Sequence, residues 1–283
     1  MNKLFQRSSA LPKEQLVQWD RFLEKNTGIQ LAPAQHMLFQ TQVTLRMKEL
    51  GISDYNVYFN FLQMDVEGVA EWQVLVDRLV VKETSFFRHR PSLDLVQQLL
   101  VNRLAKQEQA NSFEILSVGC STGEEPYALA ALVNDCYERS SHSPYFGVTA
   151  IDISLPALSI AREGVYSTRS MKLMDLDEKE HYFEHVGKER YKVKDKIKNR
   201  VCFSQVNVLH LEDKPVQLMD VIYCQNMLIY FRRWRRRHIL TELVRRLKPG
   251  GILVIGLGEI TDWQCPGIER IANKDVHAYI RSF

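Results

Sequence analysis

The chain has 283 residues, 45% of them hydrophobic and 25% charged, and its formal net charge is +3. That is the composition of an ordinary soluble globular protein, long enough for two domains or one large one. So small a charge excess does not by itself imply nucleic acid. The five cysteines are too scattered for a zinc site or a disulfide framework. Reduced thiols, a start (MNKLFQRSSA) without an apolar signal core, and no run of membrane-spanning length lead us to expect a cytoplasmic protein without membrane insertion.

Residues 1–90 read as helical. Leu16, Trp19, Phe22 and Leu23 share one face, and Ala34, Leu38, Thr41 and Leu45 mark a second helix stopped by Gly51. Ser53 is the expected cap of a third, carrying Tyr55, Tyr58, Phe59 and Leu62. Trp72, Leu75, Val76, Leu79 and Val80 keep helical spacing in a fourth. The expected organisation is a helical domain over 1–90 and a second domain over 91–283. At their junction, VVKETSFFRHRP (80–91) has two readings. It is a hydrophobic hinge between the domains, or it presents Thr84 and Arg88 to a cleft.

From Phe113 onward, short buried strands alternate with helices. Strands are expected at 113–119, 145–151, 219–224 and 252–256, with a last pair near 268–272 and 277–282. Helices are expected at 124–138, 155–163 and 233–247. This rhythm predicts an α/β fold: a doubly wound, mostly parallel, Rossmann-like sheet with right-handed crossovers. Ligands of such sheets sit at the carboxyl ends of the strands, so residues just after each strand are the candidates.

The first of these turns is GCSTGEEPY (119–127). Gly119 and Gly123 bracket a tight turn; Ser121 or Thr122 can cap the helix that follows, and Pro126 suits its first turn. Glu124 and Glu125 occupy the positive helix end that a phosphate would need, and the spacing is not GxGxxG. A ligand with a cationic group and a ribose fits better, as S-adenosylmethionine does. Asp152 ends the second strand, where a carboxylate accepts ribose hydroxyls; its alternative role is to cap 155–163, which Ser154 can already do. Asn226, after the strand at 219–224, can bond an amino-acid carboxylate or amine, or simply form the turn.

Residues 165–203 break the rhythm and read as a small antiparallel β-subdomain, with Tyr191, Val193, Val201 and Phe203 alternating with polar residues. It serves as a docking edge or as a decorated crossover. The run Arg232, Arg233, Trp234, Arg235, Arg236, Arg237 reads as a solvated helix face. Its cost at a helix N-terminus hints at an acidic partner.

Together these segments resemble the chemotaxis receptor glutamate methyltransferases, the CheR family, over nearly the whole chain. The resemblance is carried by the helical N-terminal domain, TSFFR (84–88), GCSTGEEPY, Asp152, the VNV turn at Asn207, YCQNMLIYF (223–231) and LKPGG (247–251). It implies a class I S-adenosylmethionine-dependent methyltransferase that yields S-adenosylhomocysteine and glutamyl methyl esters. The cofactor would be held by Thr84, Arg88, Glu124, Asp152, Asn207, Val208, Asn226 and Met227. Arg88 and Tyr230 would orient the reacting groups, and no metal is implied. The implied partner is the cytoplasmic helical domain of methyl-accepting chemoreceptors, met by a monomer that uses no nucleic acid. Lys82 stands where the family commonly has Asn, GLGE (256–259) stands for GHSE, and Gln225 for Arg. These departures suggest a divergent branch, such as one serving pilus-based twitching motility. Two alternatives remain open. One is a module that binds the cofactor and docks to receptors without turnover; the other is an RNA methyltransferase using the arginine run.

Overall fold

The computed structural model describes residues 11–80, 83–106, 112–140 and 145–282. The chain divides into two compact units, Met1–Val81 and Lys82–Phe283.

In the first unit, α1 (Lys13–Thr27), α2 (His36–Glu49), α3 (Tyr55–Phe61) and α4 (Val66–Leu79) enclose a core centred on Trp19. Its indole packs against Phe39 and Phe59, with ring centroids 6.0 and 5.0 Å away. α2 turns Phe39, Val43 and Met47 inward. The expected face was wrong: Leu38 and Leu45 stay exposed, and Ala34 lies in a 3-10 turn before the helix. α2 carries apolar residues on both sides, and the side whose phenylalanine meets Trp19 is the one buried. The cap of α3 is Asp54, not Ser53. The Asp54 carboxylate accepts from the Asn56 and Val57 amides, at 2.7 and 3.4 Å.

Among the described residues of this unit, a polar network is buried around Glu71. Glu71, 6% exposed, accepts from Arg46 Nε and Nη2 at 2.8 and 2.6 Å and from the Tyr58 hydroxyl at 2.6 Å. Removing Glu71 leaves the buried Tyr58 hydroxyl without its partner and Arg46 with Glu49 alone, bonded at 2.9 Å. Glu71→Ala is therefore expected to destabilise this unit by about 3 kcal/mol. Denaturant unfolding followed by tryptophan fluorescence checks this, and an unchanged midpoint would contradict it.

The second unit runs α5 (Arg90–Ala105), β1 (Ser112–Val118), α6 (Glu124–Arg139), β2 (Tyr145–Asp152), α7 (Leu155–Glu163), β3 (Val165–Ser167), α8 (Leu176–Tyr182), β4 (Phe183–Gly187) and β5 (Arg190–Val193). It continues with α9 (Asp195–Lys198), β6 (Val201–Gln205), β7 (Met219–Cys224), α10 (Arg233–Arg245), β8 (Leu247–Ile255), β9 (Ile268–Arg270) and β10 (His277–Arg281). The main sheet has the order β6-β2-β1-β7-β8-β10-β9. The first five of these strands are mutually parallel, and β10 and β9 add antiparallel at one side. All six residues of β7 are buried, as a strand covered on both faces requires. The strand order reverses at β1, so the crevice beyond the carboxyl ends of β1 and β7 is the topological switch point.

Two expectations need correction here. β6 belongs to the main sheet, parallel to β2, and not to the antiparallel excursion. As an edge strand with one neighbour it buries only Phe203 fully, which mimics the alternation of a half-exposed hairpin. The separate antiparallel sheet is β3-β5-β4 alone. Second, β8 starts at Leu247, five residues before the strand expected there, with a register shift opposite Met219/Val221. Among the described residues, no helix is long and apolar enough to cross a membrane.

Candidate functional site

The turn after β1 is clamped to the end of β2. Gly119 and Cys120 both donate their amides to Ile151 O, at 2.8 and 3.1 Å. Gly119 has φ +75, and a Cβ there would meet Met227 Cγ at 2.7 Å. Only glycine satisfies both demands. This brings Met227 of the β7 turn against the β1 turn. Gly123, not Ser121 or Thr122, is the N-cap of α6, with φ +95. A Cβ on it would strike Ala161 Cβ at 2.8 Å, so its smallness serves packing against α7.

Asp152 is held by two backbone amides. Oδ2 accepts from Ser121 N at 2.8 Å and Oδ1 from Ser154 N at 2.9 Å. Ser154 itself caps α7, accepting from Ala157 N at 3.1 Å, so Asp152 is not needed for that task. Beside it, the Ser121 hydroxyl is buried with no hydrogen-bond partner. An orphaned buried hydroxyl next to a fixed carboxylate suits a polyhydroxylated ligand such as a ribose. Asn207 ends the β6 connection and accepts from Leu209 N at 3.0 Å, fixing the short turn Val208–His210.

The two adjacent glutamates divide. Glu124, 2% exposed, accepts from Thr122 Oγ1 at 2.6 Å and Ser170 Oγ at 3.0 Å. Burial raises its pKa, and its bonds bind the start of α6 to the Thr168–Met171 turn. Glu125 points elsewhere: it accepts from Ser117 Oγ of β1 at 2.7 Å and interacts with Glu259 and Arg88. Burial pushes its carboxyl up to about 8, Glu259 pushes in the same direction, and Ser117 and Arg88 oppose them. Consecutive helical residues lie about 100° apart, so two identical acids in sequence face different surroundings. Glu124 is the one the resemblance implies for the cofactor; Glu125 is the one whose surroundings include Arg88 and Glu259.

The TSFFR segment is fastened within the second unit. Phe86 packs edge-on to Tyr166 and Phe183, each at 4.9 Å, and its amide donates to Ser170 O at 2.9 Å. Phe87 stacks on Tyr182 at 5.9 Å and lies beneath Arg90. Both rings are thus used inside this unit. Phe87 holds φ +53, a left-handed conformation costly for a bulky residue. Arg88 follows, exposed, with Nη1 donating to Glu83 O at 2.9 Å. Ser121 (φ +49) and Asn226 (φ +56) are likewise left-handed. Three of the five such non-glycine residues among those described therefore flank this crevice.

The β7 turn completes it. Gln225 Nε2 donates to Ser92 Oγ at 2.7 Å, tying the turn to α5. Glu259 accepts from Gly256 N at 2.7 Å and Ile229 N at 3.3 Å, so it braces the loops after β8 and β7. A Cβ on Gly256 would meet Glu259 Oε2 at 2.5 Å. The first and last residues of GLGE thus carry the fixed structure of that loop. Tyr230, half-buried on this turn, has its phenol pKa raised by burial although Arg88 opposes the shift, so it stays a hydrogen-bond donor. Away from the crevice, Asp135, Glu138 and His181 cluster, but Tyr182 OH bonds Asp135 and Lys196 Nζ bonds Glu138.

Residues 82–275 match the SAM binding domain of CheR methyltransferases, and residues 14–80 match their all-alpha domain. The chain belongs to the CheR methyltransferase family. It is 31% identical over 84% of its length to chemotaxis protein methyltransferase 1 of Pseudomonas aeruginosa, covering 87% of that protein. It is 26% identical over 88% of its length to the chemotaxis protein methyltransferase of Borreliella burgdorferi, covering 89%. It is 28% identical over 84% to that of Escherichia coli, covering 82%. As a CheR-family protein it is an S-adenosylmethionine-dependent methyltransferase, with the helical unit and Rossmann-like sheet expected of one.

Proposed function

We propose that this CheR-family enzyme esterifies glutamate side chains on the helical signalling domain of methyl-accepting chemoreceptors. The observation that carries the reading is the crevice at the switch point. There a fixed carboxylate (Asp152), a second carboxyl (Glu125), a cation (Arg88) and a phenol (Tyr230) surround strained turns. When bound, S-adenosylmethionine supplies an electrophilic methyl group on a sulfonium. Asp152 would accept its ribose hydroxyls, with Ser121 adjacent. Glu125 would take its ammonium, with Glu124 bracing the same turn, while Asn207, Val208, Asn226 and Met227 would line the turns around it and Thr84 would join Arg88 at the rim. The acceptor glutamate is already anionic near neutrality, so no base has to remove a proton. Arg88 and Tyr230 would hold that carboxylate within the crevice, and exclusion of water would strengthen their hold. The product leaves as a neutral ester and S-adenosylhomocysteine.

The test is methyl transfer from tritiated S-adenosylmethionine to a purified receptor signalling domain, followed by alkali. Label released by mild base supports a carboxyl ester. Alkali-stable label on protein, or label on RNA, would overturn the reading. Cofactor binding without transfer to any of a panel of receptor domains would favour the docking module.

A pH dependence follows from Glu125. Below pH 8 its carboxyl holds a proton that must leave before it can pair with an ammonium, so affinity rises with pH up to about 8. Above that, the ligand's own amine, with a pKa of about 8, loses its proton and affinity falls. Calorimetry across pH is expected to give a maximum near pH 8. Glu125→Gln should lower the maximum and abolish the rising limb, while Glu124→Gln should leave the limb in place. A rising limb retained in Glu125→Gln would contradict the assignment.

A further inference from the structure

The crevice makes little use of the arginine run. Cations at a helix N-terminus oppose the helix dipole, yet α10 opens on Arg233, Trp234, Arg235, Arg236 and Arg237. Arg236 has a structural role: it donates to Phe231 O at 2.8 Å and Glu259 O at 2.7 Å, bracing the crevice loops. Its neighbours are weakly held. Arg233 reaches Thr261 Oγ1 at 2.9 Å and Asp262 at 3.3 Å, with 63% of its side chain exposed. Arg237 has one long contact, 3.4 Å to Asp262 O. Trp234 is 58% exposed, with the Arg235 guanidinium 4.5 Å over its ring. Exposed apolar side chains continue toward the crevice. Ile229 (49%) immediately precedes Tyr230, and Leu257 (57%) sits in the loop whose Glu259 accepts Ile229 N. Arg236 Nη2 also reaches Ile229 O at 3.3 Å, so the first turn of α10 is tied to the loops that carry Ile229, Tyr230 and Leu257.

We propose that Ile229, Leu257, Trp234, Arg233 and Arg237 form a docking surface for the acidic amphipathic helix that bears the acceptor glutamate. The proposal rests on the carboxylate-methylation reading above. A glutamate entering the crevice brings its own helix to the rim. The neighbouring turns of that helix lie about 5.4 Å away, and its residues three and four positions from the acceptor share the acceptor's face. Those residues meet whatever borders Tyr230. Apolar ones find Ile229, Leu257 and the Trp234 ring; carboxylates find guanidinium groups suited to them in geometry and charge. The loops that carry Ile229 and Leu257 also form the site and are tied to α10 through Arg236, and the exposed guanidinium groups there are complementary to an acidic segment. Ile229 and Leu257 offer nothing to a phosphodiester backbone, which favours a protein helix over RNA.

The test compares wild type with the triple variant Arg233→Glu/Trp234→Ala/Arg237→Glu, both as full chains, using a fluorescently labelled receptor signalling domain. Anisotropy gives receptor affinity without turnover, calorimetry gives cofactor affinity, and steady-state transfer gives kcat and KM. The expected result is a receptor Kd and KM raised about tenfold or more, with kcat at saturation and cofactor affinity unchanged. A receptor domain whose acidic residues flanking the acceptor are changed to lysine should regain affinity for the variant. Unchanged receptor Kd would overturn the proposal. So would a defect confined to binding of RNA or of phosphatidylglycerol vesicles. If wild type forms no base-labile product, the methylation reading fails, and the anisotropy comparison still decides docking by itself.

Discussion

Asp152→Ala is expected to weaken S-adenosylmethionine binding by about a hundredfold or more. Hydrogen bonds to a charged group contribute about 1.5–3 kcal/mol each, and a ribose offers two hydroxyls to one carboxylate. At about 1.4 kcal/mol per factor of ten, losing both gives that magnitude. The carboxylate also holds the Ser121 and Ser154 amides, so the substitution loosens the turn after β1 as well. Asp152→Asn keeps an acceptor for one amide and separates the two effects: it should bind weakly while melting near wild type. Calorimetry and thermal unfolding, read together, check this. Wild-type affinity in either variant would remove Asp152 from the cofactor site.

Arg88→Ala is expected to lower kcat by about 10²-fold, the cost of misplacing the acceptor carboxylate that Arg88 positions. Arg88→Lys should restore only part of it, because an ammonium cannot offer the planar fork that matches a carboxylate. Tyr230→Phe removes one donor and should cost less. If Arg88→Ala lost cofactor affinity alone, with kcat intact at saturating cofactor, Arg88 would act on the cofactor and not on the acceptor carboxylate.

Much of the second unit was legible because its strands are short apolar runs ended by turn residues. β1, β2 and β7 fall within a residue of the spans read from sequence, and the residues after them do converge on one crevice. What escaped was directional. An edge strand such as β6 alternates as a hairpin strand does, so burial pattern alone assigned Val201 and Phe203 to the wrong sheet. α2 has apolar residues on two sides, and only the position of Trp19 selects Phe39 over Leu38. Glu124 and Glu125 are chemically identical neighbours, and the Ser170 hydroxyl that claims Glu124 lies 46 positions away in sequence. The arginine run read as a solvated face, yet Arg236 is an internal brace whose partners lie in loops the sequence does not place beside it.

The central claim is that the acceptor is a glutamate carboxylate on a receptor helix. The most direct measurement is mass-spectrometric mapping of the receptor signalling domain after incubation with enzyme and S-adenosylmethionine, with and without mild alkali. The account predicts methyl groups on glutamate side chains facing one side of a helix, lost on alkali treatment and strongly reduced with Asp152→Ala at limiting cofactor. Methylation on lysine or arginine nitrogen, stable to alkali, would contradict it.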